Sequence, residues 1–123
     1  MSNRLLRSAL LANAGFSAIA GIAALALGGR LEASLGPPAW SLRALGAGLI
    51  MFGLVVARDA GAPSRPGTWR IIGADLAWVA AAVIIIAIPP GWLAETGRAV
   101  LASLTVVVAA LAAAQWRGLE AAS

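Results

Sequence analysis

The chain has 123 residues, the length of one water-soluble domain, but 61% are hydrophobic and 11% charged, so a soluble globule would lack a polar surface. It contains no His, Cys or Tyr, and every one of its nine basic residues is Arg. Thiol redox chemistry, His- or Cys-ligated metals, haem with an axial His, and Ser or Thr nucleophiles paired with a His or Lys base are therefore excluded, and no cofactor is expected.

The Arg residues punctuate long uncharged intervals. Residues 8–29 carry no charge, and twenty of them, 8–27, rise about 30 Å as a helix, the thickness of a bilayer core. This is the first expected span. Arg4 and Arg7 ahead of an apolar run also fit a signal peptide, but the run is longer than an ordinary signal core, and its removal would leave an odd number of spans. Residues 28–37, with Arg30 and Glu32, form either a short interfacial helix or an ordered loop.

Between Arg43 and Arg58 the apolar stretch is too short to span, so the second helix is expected over 38–57, with Pro38 in its first turn and Arg43 snorkelling to the headgroups. The third runs over 69–88, interrupted by Asp75 and stopped by Pro89-Pro90-Gly91. The fourth runs over 98–116. Runs such as 80–86, Ala-Ala-Ala-Val-Ile-Ile-Ile, are apolar on every face and exclude barrel strands.

Four spans with short connections predict an all-α integral membrane protein, an antiparallel four-helix bundle forming a single transmembrane domain. Arg4, Arg7, Arg58, Arg65, Arg70 and Arg117 fall on one side, and Arg30, Arg43 and Arg98 on the other. The positive-inside rule then puts both termini in the cytoplasm. Trp40 and Trp92 at the outer ends and Trp69 and Trp116 at the inner ends read as interface anchors. No basic run suggests nucleic acid.

An offset of 62 residues pairs Asn13-Ala14-Gly15-Phe16 with Asp75-Leu76-Ala77-Trp78, and Pro37-Pro38-Ala39-Trp40 resembles Pro89-Pro90-Gly91-Trp92. This reads as a weak 2+2 hairpin repeat about an axis along the membrane normal. Small residues four apart, Ser17/Gly21, Ala44/Gly48 and Gly73/Ala77/Ala81, are expected at helix contacts within the bundle or between copies.

Asp75 is the only carboxylate inside a span, at a depth shared by Asn13 and Gln115. A functional reading makes this layer a site for a proton, a cation or a polar group. The structural reading makes it interhelical glue, with Asn13 or Arg58 satisfying the acid. Phe16 and Trp78 read as core or lipid-facing bulk. Gly28-Gly29 and Gly46-x-Gly48 follow no strand and are not phosphate cradles.

Residues 13–17 (Asn-Ala-Gly-Phe-Ser), Leu35-Gly36-Pro37-Pro38, Leu45-Gly46-Ala47-Gly48, residues 74–79 and the closing Gln115-Trp116-Arg117-Gly118-Leu119 resemble small bacterial four-span inner-membrane proteins of DoxX-like type. The resemblance implies topology and a bacterial inner-membrane location. It brings no reaction, because the redox association of some DoxX-type proteins has no matching residue here. The expected function is non-enzymatic: a scaffold or accessory subunit that packs against a membrane-protein partner or itself in the lipid bilayer. A small transporter or channel using Asp75 and Asn13 is the competing reading, and a binder of a lipid or apolar pigment near Trp78 or Phe16 the third.

Overall fold

A computed structural model describes residues 3–122, which form four helices: α1 (Arg4–Leu35), α2 (Ala39–Gly61), α3 (Arg65–Ala87) and α4 (Glu95–Ala122). All four are long and apolar enough to cross a membrane. They pack as an antiparallel four-helix bundle with both ends of the chain at one pole and the Pro-Pro turns at the other.

The helices overrun the expected spans. α1 has 32 residues and rises about 48 Å, well beyond a hydrocarbon core of about 30 Å. The segment 28–35 is neither a separate interfacial helix nor a loop, because it continues α1 without a break. The helix stops at Gly36, whose φ of 109° suits glycine and whose N–H donates to the Glu32 carbonyl at 3.0 Å. α4 likewise runs six residues past its expected end at Trp116.

Side chains fasten the helix ends. Glu32 Oε1 accepts from the Ala39 N–H at 2.8 Å, placing a carboxylate at the α2 N-terminus. At the α3 N-terminus Ser64 Oγ accepts from the Gly67 N–H at 3.0 Å, with Pro66 in the first turn. Arg7 donates through Nε to the Ala60 carbonyl near the end of α2, and Arg98 does the same to Ile86 near the end of α3, each at 3.1 Å. Arg43 is exposed, as snorkelling requires, and its stem crosses α1 at Gly28.

Around the bundle the order is α2, α1, α4, α3. α1 packs closely on α2, while α4 packs on both α1 and α3. α2 and α3 barely touch, although they are consecutive, so the ring is open at that seam. A two-fold relating the hairpins would make this seam equivalent to the close α1–α4 contact, and the packing departs from it.

The tight α1–α2 contact rests on glycine. A Cβ added at Gly21 would lie 2.6 Å from the Gly46 carbonyl oxygen, and one at Gly46 would lie 2.6 Å from that of Gly21. Ser17 and Gly21 are buried as expected. Ala44, Gly48, Gly73, Ala77 and Ala81 are exposed instead, and nothing lies within 4 Å of a Cβ built at Gly48 or Gly73. The contact face of α2 follows Leu42, Gly46, Gly53, Val56 and Ala60, a three-, four- and seven-residue pattern that leaves the Ala44/Gly48 row outside.

Large aliphatic residues fill the chain-end half of the bundle: Leu6, Leu10, Val56, Ile71, Ile72 and Leu119 form one buried cluster. On α1 the inner positions of the other half are Ala20, Ala23, Ala24 and Gly28, which have too little volume to fill the same space. Exposed Ile19, Ile22, Met51, Leu54, Ile84 and Val106 give the outer surface the apolar character a lipid-facing bundle needs.

Candidate functional site: a polar cluster above an apolar cleft

Asn13 on α1, Asp75 on α3 and Gln115 on α4 meet in the bundle interior, each at most 4% exposed. Asn13 Nδ2 donates to Asp75 Oδ2 and to Gln115 Oε1, both at 2.9 Å. Gln115 Nε2 donates to the same Asp75 oxygen at 2.8 Å. Ser17 Oγ, one turn further along α1, donates to Asn13 Oδ1 at 3.3 Å. Every member thus has a partner, as buried polar groups require, and one cluster ties three helices together.

The geometry brings together Asp75, Asn13 and Gln115, the polar layer legible in the sequence, and adds Ser17, which its four-residue spacing to Gly21 marks as a packing residue. It leaves out Arg58. Arg58 is exposed in the last turn of α2, the helix that closes poorly on α3, and among the described residues no basic side chain bonds Asp75. Two amide donors stand in place of a counterion.

Below this cluster, toward the Pro-Pro turns, the thin inner face of α1 and the open α2–α3 seam leave a cleft of about 390 Å³. Its walls come from all four helices and are almost wholly apolar, with Phe16, Leu45, Leu49, Trp78, Leu104 and Val108 among them. Asn13, Ser17 and Asp75 supply its polar end. Phe16 and Trp78, read from the sequence as bulk, are walls of this cleft and half-buried. The Trp78 Nε1–H is buried without an acceptor among the described residues.

Trp40, Trp69, Trp92 and Trp116 lie in pairs at the two poles of the bundle. Trp69 and Trp116 meet edge to face at the chain-end pole, with ring centroids 5.3 Å apart and planes at 73°. Trp40 and Trp92 lie at the other pole, 73% and 55% exposed. Among the described residues no group of His, Cys, Asp and Glu is disposed to hold a metal ion.

The close-approach glycines Gly46, Gly53 and Gly118 carry packing that four-residue spacing missed. A Cβ at Gly118 would meet the Leu6 backbone, and one at Gly53 the Ala14 carbonyl. The seven-residue step from Gly46 to Gly53 was the available signal. The cleft itself had no signal in sequence, since it depends on which two helices fail to pack.

The chain matches no protein-family model, no curated protein and no solved structure. The likeness to DoxX-type proteins therefore rests on the residues quoted above.

Proposed function

We propose that this is a non-enzymatic multi-pass protein of the bacterial cytoplasmic membrane, with both termini in the cytoplasm, that acts as a scaffold holding an apolar guest from the bilayer in its interhelical cleft. The observation that carries the reading is the cleft: about 390 Å³, walled by apolar side chains and bordered by the seam where α2 and α3 do not close. That volume falls in the lower part of the range for small-molecule sites. A hydrocarbon chain fits among these walls.

The transporter reading draws less support. Asp75 is 4% exposed and held by two amides, and an apolar cleft beside it offers a poor path for water or ions. The accessory-subunit reading keeps one observation in its favour, the exposed row Gly73/Ala77/Ala81, which a second chain can approach closely.

Native mass spectrometry of the chain extracted gently from its own membrane tests this. We expect about one apolar small molecule per chain, lost when the wall residue Ala20 is enlarged to Phe while the helical spectrum is unchanged. A bare chain, or an adduct that persists undiminished in Ala20→Phe, overturns the reading. A larger complex of fixed stoichiometry with no small molecule replaces it with the accessory-subunit role.

A further inference from the structure

A second cavity, of about 440 Å³, lies on the same α2–α3 seam at the chain-end pole, lined by Phe52, Val55, Arg58, Asp59, Gly67 and Arg70 among others. Phe52 also lines the apolar cleft, so the two cavities share it as a wall and are neighbours. Arg58 closes α2 and Arg70 lies in the second turn of α3, so two guanidinium groups from different helices flank one opening. Neither has a hydrogen bond or ion pair among the described residues.

The one carboxylate of this cavity is already occupied. Asp59 Oδ2 accepts from Thr68 Oγ1 at 3.1 Å, and Oδ1 from the Ser64 backbone N–H and Oγ, each at 3.5 Å. Gly67 leaves room for it, since a Cβ there would lie 2.6 Å from Asp59 Oδ1. Asp59 thus holds the α2–α3 connection together. Two Arg against one Asp leave the opening with a net charge of +1, which one phosphodiester would balance.

We propose that the guest is an anionic phospholipid, its phosphate between Arg58 and Arg70 and one acyl chain passing Phe52 into the apolar cleft. This rests on the function proposed above and names the class of guest. Arg suits the phosphate because its planar donors engage two oxygens at once, and basic pockets between spans on the cytoplasmic side are where anionic headgroups bind. Phe52 lies six residues from Arg58, about 9 Å along the helix, so hydrocarbon begins about one and a half turns beneath the charged mouth. The open seam admits the lipid sideways from the bilayer, so neither end of the bundle has to open. A zwitterionic lipid would bring a positively charged ammonium group toward two guanidinium groups and an anionic headgroup would not, which sets the selectivity.

The test is native mass spectrometry of delipidated full-length chain in detergent, titrated with phosphatidylglycerol or with phosphatidylcholine of identical acyl chains. The expected preference for phosphatidylglycerol is about tenfold or more. In the Arg58→Gln/Arg70→Gln double variant it falls to parity, while Arg117→Gln, which removes an exposed charge outside the cavity, preserves it. Both variants alter exposed side chains that hold no other part of the bundle in place among the described residues, and circular dichroism checks the fold. Equal binding of the two lipids by the native chain, or loss of the preference in Arg117→Gln as well, overturns the proposal while leaving the apolar-guest reading standing. Competition by millimolar inorganic phosphate as effective as that by phosphatidylglycerol also overturns it, because the site would then take an anion without a chain. Failure of both lipids to bind overturns the lipid proposal, and if the native adduct is also absent or persists undiminished in Ala20→Phe the apolar-guest reading falls with it.

Discussion

Asn13 occupies the centre of the buried cluster, giving one amide proton to Asp75 and the other to Gln115. Replacing it with Ala removes both of these bonds and the one Asn13 accepts from Ser17, and leaves Gln115 Oε1 without its donor. Hydrogen bonds between membrane helices contribute about 0.6 kcal/mol each on average, and leaving a buried acceptor unsatisfied costs about 1–3 kcal/mol. We expect Asn13→Ala to lower the unfolding free energy by about 1–2 kcal/mol in a steric-trapping or detergent-unfolding measurement. Asp75→Asn should cost less than Asp75→Leu, because an amide oxygen still accepts from Asn13 and Gln115. Equal stability of the two Asp75 variants would mean that the cluster does not join the helices. The layer is legible in the sequence because all three residues lie at one depth. The misplacing of Arg58 in it has a physical reason: depth along an axis says nothing about which side of a helix faces inward.

Between helices, the decisive residues are glycines at the α1–α2 contact. Gly21 and Gly46 leave no room for a methyl group without moving a backbone. Gly46→Ala should therefore separate α1 from α2 and destabilise the bundle by about 1–3 kcal/mol, the usual cost of overpacking. Gly48→Ala, two residues on, meets nothing within 4 Å and should be neutral or stabilising by up to about 1 kcal/mol, since Ala is the better helix former. Unfolding midpoints of the two variants decide the matter. The reverse ranking would restore the four-residue row Ala44/Gly48 as the contact face. Both glycines are equally visible in the sequence, and the hydropathy of α2 is high around the whole helix. Amphipathicity, which identifies the inner face of a soluble helix, is therefore missing.

Across the whole molecule, the antiparallel order puts the α2–α3 connection at the pole of the chain ends and both Pro-Pro turns at the other. The native chain has no Cys, so single Cys residues report topology cleanly. Gly61 and Gly91 are exposed positions at opposite poles, and a Cβ at either meets nothing within 4 Å. In inverted and right-side-out vesicles, Gly61→Cys should react with an impermeant maleimide from the cytoplasmic face and Gly91→Cys from the outer face. The opposite pattern would overturn the orientation set by six Arg against three. The same polarity governs the lipid proposal, because Arg58 and Arg70 then meet the leaflet that faces the cytoplasm.

The number of helices, their type and approximate limits, the placing of Trp at both poles and the Asn13–Asp75–Gln115 layer were determined by the sequence alone. Each rests on a one-dimensional quantity: the length of an uncharged run, the position of a Pro pair, or the depth of a polar residue along a rise of 1.5 Å per residue. The helix overruns were beyond reach, because Arg30, Glu32 and Arg117 are as compatible with helix as with loop once outside hydrocarbon. Tertiary structure decided the rest. Helices apolar on all sides carry no label for the face that packs, so the ring order, the inward faces and the open α2–α3 seam follow from close backbone approach at Gly21, Gly46 and Gly118 and from side-chain volume. The cleft is the clearest case, since it exists where the Ala-rich half of α1 cannot fill the space that α2 and α3 leave unclosed.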